Sequence, residues 1–113
     1  MTTVSERKSL LERSLEQITS VLIREYRAER IILFGSLATG TITETSDLDL
    51  LVVKKTPLPF YERLREVALL CPLEVGADIL VYTPDEVEEA LRENRFFRDE
   101  ILGKGREVYR APA

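Results

Sequence analysis

The chain has no histidine, no tryptophan and one cysteine, Cys71, in 113 residues. The missing histidine excludes Ser-His-Asp and Cys-His nucleophilic catalysis, histidine general bases and histidine-ligated zinc. A single cysteine excludes an internal disulfide and a thiolate zinc site. No apolar run approaches the roughly 20 residues of a membrane span. The opening MTTVSERKSLLERSLEQ lacks the apolar core of a secretory signal. These absences predict a cytoplasmic protein without membrane contact. Positive charge is also short, with 16 basic against 20 acidic residues and a net charge of −4. A protein that grips nucleic acid directly usually shows a basic face, so no direct nucleic-acid contact is expected. Any enzyme chemistry is left to carboxylates, hydroxyls, lysine, arginine and hard, oxygen-seeking ions such as Mg²⁺.

The length suits one domain, spanning 1–113. There are no repeats, linkers or low-complexity tracts. Thr3 with Glu6 forms a capping-box pattern. Behind it Leu11, Leu15, Ile18, Leu22 and Tyr26 recur at helical spacing, which predicts a long amphipathic helix from residue 4 to about 28. Arg30 to Phe34 reads as a short buried strand, broken by Gly35-Ser36. Residues 37–46 read as a helical turn and loop, and Leu48 to Val53 as a second strand. Thr56-Pro57 opens a helix whose inner face is Phe60, Leu64, Val67 and Cys71, ended by Pro72. Ala77 to Tyr82 is a third strand. Thr83-Pro84-Asp85-Glu86 starts a helix running to about Asn94, a short helix closes at Gly103, and Glu107 to Tyr109 forms an edge strand. The fold class is a small mixed α/β (α+β) domain, a mixed β-sheet flanked by helices. Tyr26, Phe60 and Cys71 are expected in the core, and Phe96-Phe97 in the core or an interface.

The stretch FGSLATGTITETSDLDLLVV, residues 34–53, carries the chemistry. Aspartate is a poor strand former, yet Asp47 and Asp49 stand at the mouth of the most apolar strand. Residues i and i+2 of a strand share a face about 6.6 Å apart, so the two carboxylates project side by side. Leu48, Leu50 and Val52 point the other way. Like charges so close resist ionisation unless a cation lies between them. Divalent ions resolve that conflict, and two of them can share such a pair. The chain has 15 glutamates but only five aspartates, and Asp47, Asp49 and Asp78 fall on or just before strands. If the second and third strands are neighbours, Asp78 completes a cluster of three. Alone, D-x-D is more often the wet face of an alternating strand, and Gly-Ser alone is only a turn. Together they describe a phosphate cradle at Gly35-Ser36 beside a carboxylate cluster.

Gly35-Ser36, ten residues, then Asp47-x-Asp49 resembles the signature of the DNA polymerase β-like nucleotidyltransferase superfamily. The short chain resembles its smallest branch, the minimal nucleotidyltransferases, with the agreement running over nearly the whole length. The resemblance implies that Gly35 and Ser36 hold the phosphates of a nucleoside triphosphate. It implies that Asp47, Asp49 and Asp78 are catalytic and bind two Mg²⁺ ions, and that Asp78 helps deprotonate an acceptor hydroxyl. Family members are commonly paired with a HEPN-domain protein encoded nearby, as antitoxin to its toxin. The implied reaction is therefore transfer of AMP from ATP to a tyrosine hydroxyl of that partner. The chain departs from the family pattern G-S-x-A-R-G, placing Thr39 where many relatives have arginine, which removes a cation near the phosphates. Lys54 and Lys55 lie past the far end of the strand and read as edge charges. Two alternatives stay open: a binding module that neutralises its partner without catalysis, and a stand-alone transferase acting on a small molecule. The outer face of the first helix offers a surface for an oligomer or a partner.

Overall fold

The structure is a computed structural model that describes residues 3–71 and 75–112. Helix α1 spans Val4–Arg24; Thr3 caps it by accepting from the Glu6 N–H at 3.0 Å. It ends earlier than the apolar spacing predicts. Arg27 adopts a left-handed conformation, φ 62°, which turns the chain into β1, Arg30–Phe34. Tyr26 is still buried, though it lies beyond the helix. A short turn of helix, α2, covers Ser36–Thr39, and β2 covers Leu48–Val53.

Helix α3, Phe60–Leu70, starts later than expected because Pro59 takes an extended conformation as its N-cap. Pro72, expected to end this helix, lies outside the described residues. β3 follows at Ala77–Tyr82 and α4 at Pro84–Glu93, where the Thr83–Glu86 capping box forms in full. The expected last short helix is a π-helix over Phe97–Gly103, and β4 runs Arg106–Arg110.

The four strands form one mixed sheet in the order β3-β2-β1-β4. β1 pairs antiparallel with β2 and β4, whereas β2 and β3 are parallel, joined through α3. One face packs Ile31, Leu33, Leu50, Val52 and Val81 against Leu11, Ile18 and Leu22 of α1 and Val67 of α3. The other packs Ile32, Leu51 and Val53 against Val87 of α4 and Phe97 and Ile101 of the π-helix. A central strand buried on both faces reads as a continuous apolar run rather than an alternation. That explains LLVV after Asp49.

Two side chains differ from expectation. Phe60 is 42% exposed rather than core, its ring edge-on to Tyr82, which in turn stacks on Phe97. Arg63 faces inward in its place. It donates from Nε to Leu58 O at 2.7 Å and from Nη1 to Val81 O at 3.1 Å, and forms a two-point pair with Glu86. Burying a guanidinium is tolerable only when its donors are met in this way. The Arg63 pair holds the Glu86 carboxyl below its usual range and ties α3 to the capping box of α4. No helix is long and apolar enough to cross a membrane, among the described residues.

Candidate active site

The second face of the sheet is covered by α4 and the π-helix only toward the end of β2 that holds Leu51 and Val53. Asp47 and Asp49 occupy the same face at the opposite end. Register places Phe34, Asp49 and Asp78 in one row across β1, β2 and β3. The neighbouring strands that the sequence required are therefore present, with Asp49 directly beside Asp78. Parallel strands stand about 4.8 Å apart, so these carboxylates interact strongly. Asp49 is half-buried, while Asp47 and Asp78 are exposed. Burial first, then the charges of Asp78 and Asp47 and a hydrogen bond to Asp78, push the Asp49 carboxyl up to about 6.

Gly35 ends β1 against this row. Its φ of 75° with ψ of −159° belongs to the region open essentially to glycine. A Cβ there would also collide with Oδ2 of Asp49. The Gly-Ser turn is thus pressed against the deepest carboxylate. Ser36 starts α2, and the peptide N–H groups of Ala38 and Thr39 bond back to Gly35 O at 3.1 and 3.2 Å. The Thr39 hydroxyl folds onto Gly35 O and onto Thr41 Oγ1, so no cation stands at that position.

Asp47 sits just before β2 and has different company. A Thr43–Ser46 turn, closed by Thr43 N–H on Ser46 Oγ at 2.8 Å, delivers it. Arg7 of α1 reaches across, donating from Nε to Ser46 O at 2.8 Å with Nη2 at 3.5 Å from Asp47 Oδ1. On its other side Asp47 abuts Gly76, where a Cβ would stand 2.5 Å from Oδ1. Consequently Asp49 and Asp78 form one pair, and Asp47 flanks it, held by Arg7. Among the described residues no three of His, Cys, Asp and Glu already stand in metal-holding geometry around one point. Arg7 has no sequence signal; a charged residue in the first turns of an amphipathic helix reads as solvated surface.

A cleft of about 470 Å³ opens beside the pair, with Phe34, Leu64, Val67 and Cys71 among its walls and Asp49 and Asp78 at its rim. Burial raises the pKa of the Cys71 thiol, which keeps it protonated and inert. Lys54 and Lys55 lie at the far end of β2. Lys54 Nζ donates to Tyr26 O at 2.6 Å and lies 3.9 Å from the Tyr26 ring centroid. Lys54→Ala is expected to cost about 1 kcal/mol of stability, read as a lower Tm; an unchanged Tm would show that neither the Tyr26 carbonyl bond nor the ring contact contributes.

The carboxylates fit Mg²⁺ by their chemistry. The donor set is all oxygen, as a hard cation requires; the Asp49 pKa is raised first by burial and then by the charges of Asp78 and Asp47, and a divalent cation would relieve that second part.

The family model for polymerase beta nucleotidyltransferases matches residues 16–112. A candidate protein adenylyltransferase of Methanocaldococcus jannaschii is 29% identical over 102 residues, covering 87% of this chain and 97% of that one. Among solved structures, a candidate nucleotidyltransferase from Sulfolobus solfataricus aligns with a TM-score of 0.50 at 25% identity, over 73% of this chain and 71% of that chain. A toxin–antitoxin structure with AMP-PNP aligns with a TM-score of 0.56 at 21% identity, over 85% of this chain and 73% of that chain. At that identity the second likeness shows the fold alone.

Proposed function

The chain belongs to the polymerase beta nucleotidyltransferase family, and on that premise we propose that it moves AMP from ATP to a tyrosine hydroxyl of a HEPN-type toxin partner, as its antitoxin. Residues 1–113 act as one domain, in the cytoplasm. The observation that carries the reading is the Asp49–Asp78 carboxylate pair on adjacent parallel strands, pressed against the Gly35 turn. The M. jannaschii relative, named for protein adenylylation, supports a protein acceptor. The fold shared with a toxin–antitoxin structure with AMP-PNP is in keeping with a toxin partner and an adenine nucleotide.

In this reading Asp47, Asp49 and Asp78 hold two Mg²⁺ ions, and Gly35 and Ser36 receive the terminal phosphates. When bound, the ions neutralise the triphosphate and the charge that develops at the α-phosphorus. The Gly35 turn brings backbone N–H groups to the phosphates without an intervening side chain. Asp78, exposed at the rim, takes the proton of the acceptor hydroxyl. That oxygen bonds to the α-phosphorus as the bond to the β-phosphate oxygen breaks, releasing pyrophosphate.

Incubating the chain with Mg-ATP and the neighbouring HEPN-type protein is expected to add one or more AMP units to the partner, read as intact mass. Asp47→Asn should remove the gain. Thr39 favours a second reading, since its side chain closes on Gly35 O and brings no cation to the phosphates. A stable complex that silences the partner without any mass gain would select that binding-module reading.

A further inference from the structure

Arg7 lies outside the matched residues 16–112. Of the described basic side chains, it is the only one ion-paired to any of the three aspartates, and its partner is Asp47. Its side chain is 18% exposed, with Nε bonded to the Ser46 carbonyl and Nη2 3.5 Å from Asp47 Oδ1. Asp47 itself is half-open to solvent and lies against the bare Cα of Gly76. The Ser46 bond matters because it aims the guanidinium: a hydrogen bond to a backbone carbonyl fixes a long side chain that a surface ion pair alone would not hold. Asp49 and Asp78 have no such counter-charge among the described residues.

We propose that Arg7 is a positioning residue that serves as the standing counter-ion of Asp47 and competes with divalent cations for it. Metal entry is then coupled to release of the first turns of α1 from the 43–47 segment. The inference rests on the carboxylates being a metal site. In the metal-free protein Arg7 pairs with Asp47 and, through its bond to Ser46, holds the 43–47 segment against α1. A divalent cation arriving at Asp47 meets that positive charge and must weaken the 3.5 Å pair. Removing Arg7 therefore has opposite consequences on the two sides of the equilibrium. The metal-free protein loses a tether, and the metal-bound protein loses a repulsion.

The test is a Mg²⁺ titration followed by calorimetry, together with the metal-free Tm, for wild type, Arg7→Gln, Arg7→Lys, Asp47→Asn and the Arg7→Gln/Asp47→Asn double variant. Arg7→Gln should bind Mg²⁺ about three- to tenfold more tightly, the scale of one partly screened unit charge acting on a divalent ion, while its metal-free Tm falls. Arg7→Lys keeps the charge but loses the Ser46 bond that aims it, so its Mg²⁺ affinity should fall between those of wild type and Arg7→Gln. In the Asp47→Asn background Arg7→Gln should change Mg²⁺ affinity little, because the effect runs through that carboxylate. Unchanged or weaker Mg²⁺ binding in Arg7→Gln overturns the competition and leaves Arg7 a plain tether. If the wild type and every variant ignore Mg²⁺, the metal-site reading itself fails and takes this inference with it.

Discussion

Asp49→Asn is expected to abolish AMP transfer and, in the absence of metal, to make the protein more stable at pH 8. Both effects come from one position. Asp49 is the deepest of the three aspartates and shares its row with Asp78 and Phe34. Loss of its charge removes an anchor of the proposed metal pair, with an expected fall in rate of about 10³-fold or more. The stability effect follows from the carboxyl's pKa, about 6 in the folded chain against an ordinary 3.8. Between those values the folded chain holds a proton that the unfolded chain has released. Stability therefore falls as pH rises through that window and stays low above it. The whole shift corresponds to about 3 kcal/mol at 1.4 kcal/mol per pH unit; partial exposure and screening reduce this to about 1–2 kcal/mol. Asparagine carries no such cost. Thermal unfolding in EDTA should show the variant ahead of wild type at pH 8 and level with it near pH 4. Added Mg²⁺ should raise the Tm of wild type and leave that of Asp49→Asn almost unmoved. Retained transfer, or a variant less stable than wild type at pH 8, would remove Asp49 from the proposed role.

The parts of this molecule legible in the sequence are those set by near neighbours along the chain. All three strands stand where their apolar runs place them; β2, inside the sheet and buried almost throughout, leaves the unbroken hydrophobic signature of a strand covered on both faces, whereas β3 is an edge strand with only Val81 fully buried. On sequence alone Asp78 joins Asp47 and Asp49 only if β2 and β3 are neighbours; the parallel pairing meets that condition and sets Asp78 beside Asp49, with Asp47 to one side. The features that stayed hidden depend on partners distant in sequence. Arg7 meets Ser46 across 39 positions, and Arg63 meets Val81 and Glu86. Periodicity marks arginine as outward-facing and is blind to a fold that happens to supply acceptors for its donors. The same blindness put Phe60 in the core, where Arg63 took the inward position and Pro59 reset the start of the helix. The spacing of Asp47 and Asp49 does not show that the first lies just before β2, where a guanidinium from α1 holds it.

Gly35→Ala should damage stability and chemistry together, and Gly40→Ala separates the causes. Both glycines have positive φ, 75° and 82°. Alanine at Gly40 meets nothing within 4 Å, so its cost is backbone strain alone, about 1 kcal/mol. At Gly35 the conformation is one that side chains avoid more strongly, costing about 1–3 kcal/mol. Its Cβ would also displace the Asp49 carboxylate. For a chain of this size each kcal/mol lowers Tm by about 4 °C, so Gly40→Ala should melt about 4 °C low and Gly35→Ala about 5–12 °C low. Transfer should fall about 10²-fold or more in Gly35→Ala, the penalty for moving a catalytic group by about 1 Å, and change little in Gly40→Ala. Adding Asp49→Ala to Gly35→Ala makes room for the new methyl. Part of the lost Tm should return while transfer stays absent, since the space is restored but not the carboxylate. If the double variant melts lower than Gly35→Ala, the close approach of Asp49 is not what requires glycine at position 35, and the backbone conformation is the whole of the constraint.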